Sequence, residues 1–415
     1  MGDVAGSAAR AAETAARRSY GKLVAFLAAR TRDVAAAEDA LSAAFEAALR
    51  DWPASGVPAS PEAWLLTAAR RSMIDAARRR RTHDAATPDL LLFADLATDD
   101  VEQRAIPDDR LLLMFACAHP AIDRSVRAPL MLQTILGFDA ASIASAFLVA
   151  PATMGQRLVR AKTKIKQAGI PFRLPDADDL QERLDSVLEA IYASFTEGWS
   201  DAAGTDARRR NLAEEGIWLG RLVAALLPEE PEALGLLALM LHAQARRAAR
   251  RAANGDYVPL AEQDPKAWDH ALIDEAEALL HRASTLGSIG RYQLEAAVQS
   301  AHVVRRLTGQ TDWAAIVQLY DALAALTGSP VIALNRSIAV AEIGGAEAGI
   351  AALDALANES RLADYQPYWA ARAGLLERAG QVAAADDAYR RAIGLEADPA
   401  VRRFLQQRRE RLTAR

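Results

Sequence analysis

Apolar residues recur at helical spacing along most of the chain, and the interruptions between the runs mark where one element gives way to the next. Leu23, Phe26 and Leu27, then Ala40, Leu41, Ala44, Phe45 and Ala48, lay out two amphipathic helices. Pro53, Gly56, Pro58 and Pro61 interrupt the pattern. A third helix is expected from Pro61, with Ser60 as its cap, turning Trp64, Leu65, Ala68 and Ile74 inward and ending in Arg78, Arg79, Arg80 and Arg81. From His83 to Pro107 the chain is rich in Asp, Ala, Thr and Pro, which predicts a linker. Asp139 to Phe147, the tight turn Leu148-Val149-Ala150, and Pro151 to Lys166 then read as helix, turn, helix. Gly169, Pro171 and Pro175 close that module, and from Leu180 onward amphipathic helices continue, broken near Gly204, Pro228, Pro231 and Asn254-Gly255-Asp256.

Near the C-terminal end the pattern repeats. Gly380 opens a helix with Ala385, Tyr389 and Ala392 inward, and Trp369 lies 11 residues before that Gly. This looks like a tetratricopeptide repeat. One repeat length back stand Gly344, Gly349 and Leu353; a further step reaches Trp313, Ile316 and Tyr320, with Pro330 at the repeat end. Each such helix pair leaves an apolar face open, so about three stacked repeats are expected from Tyr292 onward. Aromatic residues make up only 6% of the chain and β-branched runs are scarce, so the expected fold class is all-α. At 415 residues, more than one core is needed.

Charge and cysteine content narrow the setting. A net charge of −5 argues against a protein that coats nucleic acid over its whole surface, although it can conceal a local basic patch. The single cysteine, Cys117, fits a reducing compartment, and no stretch approaches 18 uncharged apolar residues, so the expected location is the cytoplasm, without a membrane segment. Cys117 and His119 have no second ligand pair nearby, and no glycine-rich loop is followed by Lys-Ser or Lys-Thr. No metal, cofactor or catalytic residue is expected, and His242, His270, His281 and His302 read as packing residues.

The helix 151–166 is the element whose chemistry is most pointed. Met154, Leu158, Ala161 and Ile165 form one apolar stripe, while Thr153, Gln156, Arg157, Arg160 and Lys164 project elsewhere with no acidic residue among them. A helix of this kind after a tight turn can enter a major groove. Gln156 would pair with adenine and Arg157 with guanine, whereas Lys162, Lys164 and Lys166 would neutralise phosphates. A solvated cationic face is the competing explanation.

With Val34 to Phe45, the segment from Trp64 to Arg81 resembles regions 2.2 to 2.4 of the extracytoplasmic-function sigma factors, and Asp108 to Gly169 is similar to their region 4. The runs Ala116-Cys-Ala-His-Pro120 and Pro129 to Gly137, with the long helical extension, point toward the subgroup carrying a tetratricopeptide-like C-terminal domain. The resemblance implies sigma region 2 in 14–82, a linker in 83–107, a region 4 helix-turn-helix in 108–170, a helical middle domain in 180–291 and tetratricopeptide-like repeats in 292–415. It implies that Glu38, Asp39, Leu41, Ser42, Phe45 and Glu46 dock on the β′ clamp helices of core RNA polymerase, with region 4 meeting the β flap. Arg70, Arg71, Asp75, Arg78 and Arg79, expected on an exposed helix face, would engage the −10 element of promoter DNA; Thr153, Gln156, Arg157 and Arg160, with Lys162 and Lys164 on the backbone, would take the −35 element. Trp64 is expected in the core. Such a chain is not an enzyme: polymerase supplies the chemistry, and the C-terminal domain is the expected regulator. Arg372, Arg390, Arg391, Arg402 and Arg403 would make the end of the repeats basic and suited to a peptide or protein partner. A helical-repeat interaction protein that binds something other than promoter DNA is the alternative, and a small-molecule enzyme in the middle region a third.

Overall fold

The computed structural model describes residues 2–81, 106–147, 149–200 and 207–413. Almost all of the expected linker and Leu148 of the turn therefore lie outside the described residues, as do the side chains of Arg78 and Arg79. Among the described residues no strand forms; one isolated bridge joins Arg251 and Tyr257. The all-α expectation holds.

The chain divides into two compact units, residues 1–198 with 214–216, and residues 199–213 with 217–415. The first unit opens with α1 (Gly2–Thr31), which starts earlier than the apolar pattern suggested because its Ala-rich beginning favours helix. In the middle of α1 every residue from Leu23 to Ala28 is buried. A helix that is apolar all round needs neighbours all round. Those are α2 (Val34–Ser55) and α3 (Pro61–Arg81), and also α4 (Arg110–Cys117) and α5 (Arg124–Leu136). Gly21 lets α1 and α5 meet backbone to backbone: a Cβ there would lie 2.1 Å from the Ile135 carbonyl oxygen.

The helix-turn-helix follows as α6 (Ala140–Ala146) and α7 (Pro151–Gln167), within a residue of the expected bounds. The helix α8 (Ala177–Ser200) belongs to this unit through its first 22 residues, so the division falls after 198 rather than near 180. Its Arg183 donates to the Phe115 carbonyl (2.8 Å), Arg127 donates to Ser186 (3.1 Å), and Arg124 grips the Glu189 carboxylate.

In the second unit α9 (Ala207–Leu226) is followed by α10 (Pro231–Ala245), buried along nearly its whole length between α11 (His270–Ser284) and α12 (Arg291–Val303). Glu232, at the start of α10, accepts from the backbone N–H groups of Tyr292 (2.9 Å) and Gln293 (3.0 Å), so one helix caps another. After the short α13 (Arg305–Thr308), helices pack in succession: α14 (Trp313–Thr327), α15 (Pro330–Gly344), α16 (Ala346–Asp354), α17 (Gln366–Arg378), α18 (Val382–Leu395) and α19 (Pro399–Thr413). Ala385, Tyr389 and Ala392 are buried as their spacing required, in a cluster with Leu376, Leu405 and Leu412. Pro330 opens α15 at its first turn rather than closing a repeat, the position its fixed φ suits.

Candidate nucleic-acid interface

The second helix of the helix-turn-helix is aimed by local chemistry. Gly137, at φ +73°, ends α5, its N–H bonding to Gln133 while Phe138 N–H reaches Leu132. Asp139 then accepts from the backbone N–H groups of Ala141 (3.0 Å) and Ser142 (2.9 Å), starting α6. Ile143 and Ala144 are fully buried, and the Val149 N–H bonds the Ala144 carbonyl, which turns the chain into Pro151 and α7.

Met154, Leu158, Ala161 and Ile165 are all buried, while Thr153, Gln156, Arg157, Arg160 and Lys164 are exposed. Five of the six expected −35 residues are thus open to a ligand. Arg157, Arg160 and Lys164 border a hollow of about 290 Å³ whose other wall is the N-terminal end of α5, including Asp123 and Ser125. The Ser125 hydroxyl and backbone N–H hold the Asp123 carboxyl below its usual range.

Lys162 is the exception. Its ammonium lies 2.6 Å from Glu38 of α2, and both side chains are nearly covered, at 11% and 12% exposure. Burial raises the pKa of Glu38, and Lys162 partly offsets that rise. Beside this pair Lys166 meets Asp33, the N-cap of α2, at 2.7 Å. Arg30 of α1 pairs with Asp109 at 3.1 Å. A residue expected on polymerase and one expected on DNA are bonded to each other instead. Sequence pattern did not reveal these contacts; an isolated Gly21 within a helical run, costly to the helix, is the one signal of a packing constraint there.

The remaining expected residues separate by exposure. On α2, Asp39, Ser42 and Glu46 are exposed and Phe45 is half-buried, whereas Leu41 is fully buried in the core and offers no surface to a partner. On α3, Arg71 and Asp75 are exposed. Arg70 departs from the exposed face expected of it: it is 7% exposed, its guanidinium 5.3 Å from the centre of the Phe26 ring. Trp64 is half-buried, edge-on to the buried Trp52 at 5.5 Å.

Elsewhere the candidate chemistry is subdued. Among the described residues no group of His, Cys, Asp and Glu could hold a metal ion. Cys117 lies buried against Thr134, and burial pushes its thiol up to about 12. Near α17 and α18, Trp369, Arg372, Arg390 and Arg391 border a hollow of about 590 Å³. The arginines there are balanced by acids, Arg372 by Asp354, Arg390 by Asp386 and Asp387, and Arg391 by Asp364, and outside the hollow Arg403 pairs with Asp256. Arg402 bonds the Glu396 carbonyl. No described helix is long and apolar enough to cross a membrane.

Residues 16–83 match the sigma-70 region 2 family, and residues 183–284 match a family of unknown function (DUF6596). The chain is 39% identical over 389 residues to an uncharacterized protein, R00370, of Rhizobium meliloti (strain 1021), covering 92% of this chain and 91% of that one. No solved structure matches the chain. The region 2 match falls on α1, α2 and α3, the elements that carry the exposed acidic rim and Arg71. It implies a part in RNA polymerase binding and transcription initiation. The chain belongs to the family of that Rhizobium meliloti protein, and the sigma-70 region 2 in its residues 16–83 supports a sigma factor family.

Proposed function

We propose that the chain is an extracytoplasmic-function type sigma factor that directs core RNA polymerase to particular promoters. The observation that carries this is order: a sigma-70 region 2 is followed by a helix-turn-helix whose second helix exposes Thr153, Gln156, Arg157, Arg160 and Lys164. In this reading residues 14–82 bind the polymerase and the −10 element, and residues 108–170 bind the −35 element and the β flap. Asp39, Ser42, Phe45 and Glu46 supply the surface toward the β′ clamp helices. Arg71 and Asp75, with Arg78 and Arg79 further along α3, face the opened −10 strand, where cations track phosphate and a pocket can receive an unstacked base. Bidentate bonding by Gln156 and Arg157 reads base edges, and Arg160 and Lys164 hold the backbone.

The C-terminal helices act as tetratricopeptide-like repeats that regulate the chain, and the hollow bordered by Trp369, Arg372 and Arg391 receives a peptide or protein partner. The polymerase performs the catalysis, and the work belongs in the cytoplasm. The test is transcription in vitro with core RNA polymerase from the source organism, on a pool of that organism's promoters. Full-length chain is compared with a truncation after Gly198, which keeps the continuous stretch of the first unit. Initiation at particular promoters only in the presence of the chain is expected. Failure of polymerase to bind the chain or to start at any promoter would reject the reading.

A further inference from the structure

Three arginines gather where α10 ends, and among the described residues none of them has an ion-pair partner. Arg246, the C-cap of α10, is only 9% exposed, yet its guanidinium donates to neutral groups alone: the Gln299 side-chain oxygen of α12 and the His242 carbonyl (3.3 Å) of its own helix. Arg250 donates to the Trp199 carbonyl (3.4 Å) and lies 4.6 Å from the centre of that ring. Arg305 of α13 donates to the Leu260 and Gln263 carbonyls, at 2.7 Å each, and lies 5.0 Å from the centre of the Trp268 ring. Other arginines of this unit are paired, Arg221 with Glu275, Arg251 with Asp398 and Arg306 with Asp274. The three cations act on one another and on a neighbouring ring. Burial, with the charges of Arg250 and Arg305, brings Arg246 down to about 10, and burial, Arg246 and Arg305 bring His302 down to about 4.

A guanidinium taken out of water without a counter-charge is costly, and folds rarely keep one without a partner. At neutral pH all three side chains are cations. Aromatic faces and backbone carbonyls set their positions in advance, and neither neutralises the charge. Cations held in this way lose little conformational freedom when an anion arrives. His302, one turn beyond Gln299 on α12, and Tyr320 of α14 are within electrostatic reach of Arg246 and only half-buried, so the cluster is not sealed from solvent.

We propose that Arg246, Arg250 and Arg305 bind an oxyanion, the carboxylate or phosphate group of a small molecule, with Gln299, His302 and Tyr320 contributing neutral hydrogen bonds. Planar guanidinium forks match both groups. The Gln299 amide nitrogen, a neutral His302 ring and the Tyr320 hydroxyl each carry a donor for the remaining oxygens. Arg246, Arg250 and Trp268 fall in the stretch matched by the family of unknown function, and the proposal gives those residues a chemical task. The site lies wholly in the second unit and stands apart from the sigma-factor reading.

Inorganic phosphate and citrate are the probes, each titrated into the full chain against sodium chloride of equal ionic strength, with the melting temperature as the first readout. A saturable rise with either probe is expected; phosphate alone would assign a phosphoryl ligand and citrate alone a carboxylate. Arg246→Lys keeps the charge but loses the fork, and Arg250→Gln removes a half-buried cation; each should raise the half-saturating concentration about tenfold or more. Because the exposed cations of α7 also attract phosphate, the ring of His302, followed by NMR, locates the effect. An anion beside Arg246 and Arg305 offsets the field that holds this ring down, so its pKa should rise by about one unit at saturation. The parent chain alone supplies that reading, even if a variant does not fold. No saturable response to either probe overturns the proposal, as does an equal response in both folded variants. A rise in melting temperature that leaves His302 unmoved also overturns it, since the anion is then acting elsewhere.

Discussion

Gln156, Arg157 and Lys164 share one exposed face of α7 but should fail in different ways when removed. A side chain that reads a base edge contributes discrimination, whereas one that neutralises phosphate contributes affinity to any sequence. Replacing Arg157 or Gln156 with Ala should cost about 1–3 kcal/mol at the preferred promoter and relax choice at one base position. Lys164→Ala should weaken binding to all sequences alike and make the salt dependence shallower by about 0.9 in log–log slope. Promoter competition assays at several salt concentrations separate the two; equal losses on specific and random DNA for Arg157→Ala would remove it from base reading. Exposure of these residues was legible in the sequence because the apolar stripe Met154, Leu158, Ala161 and Ile165 fixes the opposite face. The same logic placed Leu41 inward, although the resemblance assigned it to a partner surface, but it did not place Arg70. Arg70 has an aromatic neighbour, Phe26, on another helix, which a one-dimensional period does not report.

At the scale of elements, caps and turns were the most readable features, and helix-to-helix contacts the least. Asp139 caps α6 as its residue type and position suggested, so Asp139→Ala should lower stability of the first unit by about 1 kcal/mol. No sequence signal connects Glu232 with residues 292 and 293, because that cap crosses between α10 and α12. Glu232→Ala leaves two N–H groups of the first turn of α12 without their buried acceptor, and should cost about 2–3 kcal/mol. Amide exchange at Tyr292 and Gln293 should accelerate in that variant; unchanged protection would mean that water substitutes fully.

The same unit buries His242 and half-buries His302, and the neutrality of both rings has a pH signature. Burial, together with Arg246 and Arg306, pushes His242 down to about 3, against the nearby Glu277 carboxylate at 3.4 Å. Burial, Arg246 and Arg305 push His302 down to about 4. The unfolded chain takes up these protons near pH 6.5, while the folded chain refuses them until far lower pH. Protons thus bind the unfolded state preferentially across that window, so stability that is complete above about pH 6.5 is lost as pH falls through it. Each histidine contributes at most about 1.4 kcal/mol per pH unit. Melting temperatures should fall between pH 7 and pH 5, less steeply in His242→Leu than in the parent if the mutant still folds. A pH-independent melt would show that these rings take up protons in the native state as readily as in the unfolded chain.

For the whole molecule, the number of cations that α7 can give to DNA depends on what the rest of the first unit does with them. Arg157, Arg160 and Lys164 are exposed, while Lys162 and Lys166 are engaged by Glu38 and Asp33. Counterion release counts neutralised phosphates, with a slope of about −0.9 for each on duplex DNA. If three cations act, the isolated chain should bind duplex with a slope near −2.7, and if all five act, with one near −4.5. Gly21→Ala, which forces α1 off α5 without altering any charge, should therefore steepen the slope by about 1.8. Adding Lys162→Ala and Lys166→Ala to that variant should return the slope to its starting value, because the freed cations are then absent. Contributions from Arg71 and other basic residues of α3 are common to all these chains and cancel in the comparison. A global charge of −5 would have predicted weak DNA binding with no particular structure to it. The slope difference asks instead whether the acidic residues responsible for part of that negative charge are standing in for phosphate, and an identical slope in parent and Gly21→Ala would show that they are not.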